Sequence, residues 1–406
     1  MSRGYVVYGT QPLDASWLTE HHLAHALARR HDVLFVEPPV SPLTPLRAAG
    51  SRGRAGEVRQ LLRRRPRVEG RLHALRPVAL PPLSHARARE ASAPLVRAQV
   101  RRAARAAGLE RPVALAAWGH AAALGGAGER LRLYLVKDWL QSRDGAALLG
   151  VDPAVVDSEV DAMCAAADAI CATSPALRRA LAARGLDSVL LRHGFDAGSA
   201  GRYDGAALPR EYEGLPRPLL GFTGTVDARL DLDLLGALAD RFAAGTVVLV
   251  GPVSPRLDPE ALDALRRRPN VTLLGPRPGP ELAPYVSHLD CALLPYRASE
   301  WLRHASPLKL WDYLYAGPPI VGSGCAALLE HPAPLVRFAD SAPEFADAVQ
   351  AALADPGAGR AQRRARALAN TWEHRASRLD ALVSEVGKKY ESFPAPRPLI
   401  AQGLGN

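Results

Sequence analysis

Lysine is nearly missing from this 406-residue chain: Lys137, Lys309, Lys388 and Lys389 stand alone among 51 basic residues, the rest being arginine. A lysine at a chemically suggestive place therefore carries weight. Cysteine is scarce too. Cys164, Cys171, Cys291 and Cys325 are too few and too scattered for a disulfide scaffold or a structural zinc cluster, and read as small core residues in a reducing compartment. No run of about 18 apolar residues occurs, so a membrane-spanning helix is not expected. The opening MSRGYVVYGT reads as a buried strand rather than a signal peptide. Gly9 ends that strand without a GxGxxG pattern, which argues against a dinucleotide-dependent dehydrogenase. Zinc-finger, RNP and basic-zipper patterns are absent, so nucleic acid is not an expected partner.

What is present points to a globular protein. Hydrophobic residues are 48% and charged residues 23% of the sequence. The length suits two domains of roughly 150–200 residues. The net charge of +10 is concentrated: residues 47–111 hold 17 Arg and 4 Glu with no Lys or Asp. This basic segment, with Leu, Val and Ala between its arginines, suits an anionic lipid surface or an anionic substrate as well as plain solvent.

Short apolar strands alternate with helical patterns along the whole chain, the grammar of doubly wound α/β domains. In the first half, strands are expected at 5–8, 33–36, 113–117, 131–136, 169–172 and 189–191. Ser174 and Pro175 form a helix start. The second half repeats the pattern from Leu219 onward, with strands at 219–222, 246–250, 271–273, 290–294 and 319–321. Residues 1–198 are read as one Rossmann-like domain, 199–217 as a linker rich in Gly and Pro, and 218–370 as a second Rossmann-like domain. A helix over 371–390 is expected to cross back to the first domain, and 391–406 to be a flexible tail. Two such domains leave a cleft at the carboxyl ends of their strands.

The sharpest chemistry lies in SPLKLWDYLYAGPPIV. Lys309 and Asp312, three apart, share a helix face. Ser306 is the expected cap and Pro307 the first helical residue, which puts Lys309 in the first turn. Free N–H groups at a helix start bind phosphate oxygens, and a lysine there adds a point charge for a diphosphate. A carboxylate one turn on accepts the two hydroxyls of a ribose. The plainer alternative is a solvent-exposed Lys–Asp pair. Asp231-Leu232-Asp233, the one literal DxD, reads as a helix start.

These segments resemble the GT-B glycosyltransferases, of the retaining, family 4-like type, and within it the teichuronic-acid-biosynthesis-like transferases. The resemblance runs through SWLTEHHLAHALARRHDVLFVEPP, ADAICATSPALRRALAARGLDSVLLRHGFD, LLGFTGTVD, NVTLLGPRPGPELAPYV, DCALLPY, PLKLWDYLYAGPPIV and TWEHRASRLDAL. It implies the GT-B fold: two Rossmann-like domains facing each other across a cleft. It implies transfer of a sugar, with retention, from a nucleotide-diphosphate donor to a hydroxyl acceptor, in a hexosyltransferase-like reaction. Lys309 falls where the family binds the diphosphate, and Asp312 where it usually has a ribose-binding Glu. Gly224 and Thr225 fall on the phosphate turn, and Gly251 on the next strand end. Arg229 is a candidate for the arginine that the family carries beside that turn. His304 stands where the family has a carboxylate toward the donor sugar, with Glu300 nearby. Gly9 heads a loop expected to pass beside the phosphates or the acceptor. The catalytic residues expected with Lys309 are His120 and Asp138, in loops where the family has acceptor-side histidines and aspartates. His193 opens the HGFD turn. The nucleotide sugar is a co-substrate; no cofactor and no metal is expected. The expected setting is cytoplasmic, at the inner face of a membrane when the acceptor is lipid-linked, in cell-envelope polysaccharide or glycolipid assembly. The competing expectations are a catalytically degenerate assembly partner and a nucleotide-sugar epimerase on the same fold.

Overall fold

The computed structural model describes residues 4–15, 17–41, 67–80, 86–121 and 123–391. The chain divides into two compact units, Met1–Leu191 with Arg375–Asn406, and Arg192–His374. In the first unit the order is β1 (Gly4–Tyr8), α1 (Thr19–Ala28), β2 (Asp32–Val36), β3 (Arg67–Glu69), β4 (Leu72–Leu75), α2 (Ala86–Ala106), β5 (Val113–Ala116), β6 (Leu131–Val136), α3 (Arg143–Leu149), α4 (Pro153–Ala166), β7 (Ala169–Ala172), α5 (Pro175–Ala183) and β8 (Val189–Leu190).

The strands form one sheet in the order β3-β4-β2-β1-β5-β6-β7-β8. Every pairing is parallel except β3 with β4. YVVY, VLFV and VALA are buried throughout, as strands covered on both faces must be. The strand order reverses between β1 and β5, and a crevice forms outside the carboxyl ends of strands at such a switch point. Ser174 caps α5, its hydroxyl accepting from the Leu177 amide at 3.1 Å, with Pro175 in the first turn as the sequence predicts.

The second unit holds α6 (Ala200–Tyr203), β9 (Leu219–Thr223), α7 (Leu232–Arg241), β10 (Thr246–Val250), α8 (Pro259–Arg266), β11 (Val271–Gly275), α9 (Leu282–Ser287), β12 (Cys291–Pro295), α10 (Glu300–His304), α11 (Lys309–Ala316), β13 (Ile320–Ser323), β14 (Arg337–Phe338), α12 (Ala342–Ala354) and α13 (Arg360–Leu368). Its sheet is wholly parallel, in the order β11-β10-β9-β12-β13-β14. This is the doubly wound order whose switch point lies between β9 and β12. Asp231 accepts from the Leu234 amide at 3.0 Å and caps α7, which accounts for the literal DxD as a helix start.

The last helix, α14 (Trp372–Glu391), begins in the second unit, and from Arg375 onward it belongs to the first. There Asp380 accepts from the Tyr5 hydroxyl at 2.5 Å and pairs with His31 at 3.1 Å. Residues 199–217, expected as a linker, are not free chain. They carry α6 and a short 3-10 turn, and Tyr212 is buried with its hydroxyl donating to the Tyr285 carbonyl at 3.2 Å. Gly and Pro end regular elements here, but the aromatic side chains between them dock on the second unit. Residues 42–66 of the basic segment, and the tail beyond 391, lie outside the described residues. Within α2, Arg97, Arg101, Arg102 and Arg105 are exposed. Among the described residues no helix is long and apolar enough to cross a membrane.

Candidate functional site

The residues singled out in the sequence fall into two groups, one in each unit. In the second unit, β9 ends in the turn Gly224-Thr225 and β10 ends at Gly251. Gly224 has φ +129° and Gly251 has φ +155°. A Cβ on Gly251 would lie 2.0 Å from the Gly224 carbonyl oxygen, so the two strand ends approach this closely only without side chains. A Cβ on Gly224 would lie 2.6 Å from the Lys309 Nζ. The turn and the lysine are therefore in contact. Thr225 is half-buried in the same turn.

Helix α11 is held against β9 by Tyr313, whose hydroxyl accepts from the Thr223 amide at 2.8 Å. Its far end is closed by Gly317 in the left-handed region, φ +88°, and by buried Arg363, which donates to the Gly317 carbonyl. Lys309 is the first residue of the helix. Its ammonium lies 3.9 Å from the centroid of the Phe222 ring and 5.8 Å from that of Tyr296. Among the described residues it has no carboxylate within ion-pair distance. Burial, and then the Arg229 charge, lower its pKa to about 7, against the opposing pull of Asp227 and Asp312. The alternative of an exposed Lys–Asp ion pair is thus not what forms. Asp312 turns to Tyr203, whose hydroxyl donates to Oδ1 at 2.9 Å. Burial raises the Asp312 pKa to about 6, with Asp196 adding to the rise and the Tyr203 hydrogen bond and Lys309 opposing it.

Two expectations change. Ser306 does not cap the helix. Leu308 occupies the cap position with helical angles, and no side chain caps the start. The Leu310 amide donates to the Pro307 carbonyl at 3.3 Å and the Trp311 amide to the Leu308 carbonyl at 3.1 Å, so a tight turn precedes the regular helix. Arg229 does not project freely beside the phosphate turn. Asp227, itself buried, takes its guanidinium at 2.8–3.0 Å through Nε, and the guanidinium lies 5.3 Å from the Trp301 ring centroid. Arg229 therefore acts on Lys309 as a neighbouring positive charge. His304 ends the short helix α10, with Nδ1 donating to the Glu300 carbonyl at 2.9 Å, while Glu300 starts that helix behind the Ser299 cap.

In the first unit, Gly9 follows β1 and His120 follows β5, on the two sides of the switch point. A Cβ on Gly9 would lie 2.2 Å from the Phe35 ring. His120 is buried and its Nε2 donates to the Gly9 carbonyl at 2.8 Å. A carbonyl only accepts, so Nδ1 carries the lone pair, and it has no partner among the described residues. Burial lowers the imidazole pKa. Asp138 is half-buried in the loop after β6.

Beside His120 lies a network that spacing does not reveal. Lys137 donates to both Glu20 oxygens at 2.9 and 2.8 Å and to the Thr10 hydroxyl at 3.1 Å. The Thr10 amide and hydroxyl also donate to Glu20, at 3.0 and 2.6 Å. Burial pushes the Glu20 carboxyl up, but Lys137 and Thr10 outweigh it and hold it at about 2. Together these bonds fix the loop after β1. In α1, His21 donates from Nε2 to the Pro12 carbonyl at 3.1 Å, and His25 stacks on Trp17 at 4.0 Å. His193 is buried in the second unit with its ring 6.1 Å from Trp372.

No family model matches the chain. A stretch of 105 residues is 33% identical to TuaH of Bacillus subtilis (strain 168), provisionally named a teichuronic acid biosynthesis glycosyltransferase. The match spans about a quarter of each protein, 26% of this chain and 26% of TuaH. Solved structures agree over far more of the chain. The sucrose-phosphate synthase (tll1590) of Thermosynechococcus elongatus has a TM-score of 0.69 at 17% identity, over 95% of this chain and 100% of that one. The Escherichia coli structure described as trehalose-6-phosphate bound with UDP-2-fluoro glucose has a TM-score of 0.65 at 11% identity, over 94% and 98%. Anabaena HepE in complex with UDP and glucose has a TM-score of 0.63 at 14% identity, over 94% and 100%. At such identities the likeness carries the architecture: the chain has the GT-B fold, made of two Rossmann-like α/β units.

Proposed function

We propose that the protein is a glycosyltransferase that takes a sugar from a nucleotide-diphosphate donor and places it on a hydroxyl acceptor. The observation that carries this is Lys309: a half-buried side chain with no carboxylate at ion-pair distance among the described residues, on the first turn of an uncapped helix, against the Gly224 turn after β9 at the switch point of the second unit. Such a place is arranged for an anion that arrives with its own charge. The second unit holds the donor. Lys309, the α11 amides and the Gly224 turn take the diphosphate, and Asp312 takes the ribose hydroxyls. Thr225, Gly251, Ser306 and His304 border the donor, and Arg229 tunes Lys309 through its charge.

As the glycosidic bond breaks, charge grows on the departing diphosphate while the sugar carbon becomes oxocarbenium-like. The ammonium and amides stabilise the first change. Asp138 and His120 serve the acceptor side, as the family resemblance implies. The first unit holds the acceptor, as in the family that the sequence resembles, and transfer proceeds with retention. The E. coli and Anabaena structures, bound to UDP sugar or UDP, supply the analogy for the donor. The partial likeness to TuaH, named for teichuronic acid biosynthesis, supplies the analogy for an acceptor in polysaccharide assembly. The arginines of residues 47–111, with those exposed on α2, suit an anionic membrane or lipid-linked acceptor. A degenerate binding partner would keep this lysine and turn as well; it is told apart by a nucleotide that binds but never turns over with any acceptor.

The test is binding and hydrolysis of UDP-, GDP-, dTDP- and ADP-sugars by wild type and Lys309→Ala. One nucleotide bound tightly, and at least tenfold more weakly by the variant, supports the reading. Binding of none, or binding indifferent to Lys309, overturns it.

A further inference from the structure

We propose that Tyr203 is a positioning residue that fixes the Asp312 carboxylate so that it reads the ribose of the bound nucleotide. The inference rests on the nucleotide site proposed above and adds a residue to it.

An aspartate at this place is one methylene shorter than a glutamate, so its oxygens are set by the backbone and two torsions. The structure supplies the constraint that fixes them. Tyr203 ends α6, and its ring meets Phe195 at 6.0 Å and Tyr315 at 5.5 Å, both edge-on. Phe195 and Tyr315 stack on each other at 4.1 Å, so the wall behind the phenol is itself rigid. The next residue, Asp204, accepts from the Tyr315 hydroxyl at 3.0 Å and from Arg364 at 2.6 and 2.8 Å. Two adjacent side chains of α6 and its end are thus tied to α11, one through Asp312 and one through Tyr315. The phenol remains a donor, because burial and then Asp312 keep its pKa well above the ordinary value. Its hydrogen bond occupies Oδ1 of Asp312. Oδ2 has no hydrogen-bond partner among the described residues and is left to accept from a ligand. The charged groups facing this carboxylate are Asp196 and, on its own helix, Lys309.

Tyr203→Phe keeps the ring and its packing and removes only the donor. UDP and GDP are titrated calorimetrically, each against its 2′,3′-dideoxy counterpart, from pH 5 to pH 8. In the variant, affinity for the ribonucleotide is expected to fall about tenfold, the cost of one hydrogen bond to a charged group, while the dideoxy compound binds as before. A merely structural role weakens both equally. Ribose preference requires ionised Asp312, so it fades in wild type as pH falls through about 6. In Tyr203→Phe the hydrogen bond that opposes this rise is gone, so the preference fades at a higher pH. An unchanged ratio and midpoint in the variant, with ribose preference in wild type, overturn the role of Tyr203 alone. No nucleotide binding by wild type overturns the site itself, and this inference with it.

Discussion

Binding of a nucleoside diphosphate should draw a proton onto Lys309. In the free protein burial and Arg229 lower its pKa to about 7. At pH 8 about nine tenths of the protein therefore carries a neutral amine. A phosphate charge about 4 Å away, at an effective dielectric constant near 20, favours the ammonium by about 4 kcal/mol, or about three pKa units. The bound pKa then approaches about 10, and the site takes up about 0.9 proton per nucleotide at pH 8. Asp312, at about 6, is already ionised there and does not disturb the count. By the same arithmetic, affinity weakens about fiftyfold between pH 7 and pH 9. A lysine at its ordinary value would leave affinity flat over that range. Calorimetry in two buffers of different ionisation enthalpy measures the proton directly. Lys309→Met should take up none. Nucleotide binding with no proton uptake at pH 8 and flat affinity to pH 9 would refute the reasoning.

Removing that ammonium should also stabilise the second unit. The folded pKa of Lys309 lies below its unfolded value, so its penalty to folding is largest below pH 7 and disappears as pH rises toward 10.5. Lys309→Met is expected to raise the thermal midpoint at pH 7, with a smaller gain at pH 9; a gain that grows with pH contradicts this. In the first unit, Glu20 lies below its unfolded value of 4.5 at about 2, so its contribution is complete above 4.5 and is lost as pH falls through about 2. Glu20→Gln should cost about 3 kcal/mol in urea denaturation at pH 7, by removing the carboxylate of a buried pair, and much less near pH 2. The two turn glycines should fail differently. Both have positive φ, so alanine strains the backbone at either. Gly251→Ala in addition drives a methyl into the Gly224 backbone and should lower the thermal midpoint of the second unit more, whereas Gly224→Ala meets the movable end of Lys309 and should weaken nucleotide binding more. Equal thermal loss with equal binding would sink that distinction.

The sequence makes legible whatever depends on local pattern. LLGFT, TVVLV and CALLP are buried runs ended by Gly or Pro, and their strands form where those runs lie. Short elements escape: α3, α10 and the two-residue β14 span too little chain for a period to register. In the site, Lys309 is conspicuous because lysine is rare and because a helix start follows a proline. The groups that hold the site are invisible for the opposite reason. Glu20 meets Lys137 across 117 residues, and Tyr203 meets Asp312 across 109, separations that no motif spans. Composition also misleads at 199–217. Gly and Pro there interrupt regular backbone, and interruption says nothing about where Tyr203 and Tyr212 dock. An irregular segment between two α/β units can therefore be as fixed as the helices beside it when its aromatics are buried. Asp312, the carboxylate proposed to read a ribose, accepts its hydrogen bond from a tyrosine that composition assigns to a linker.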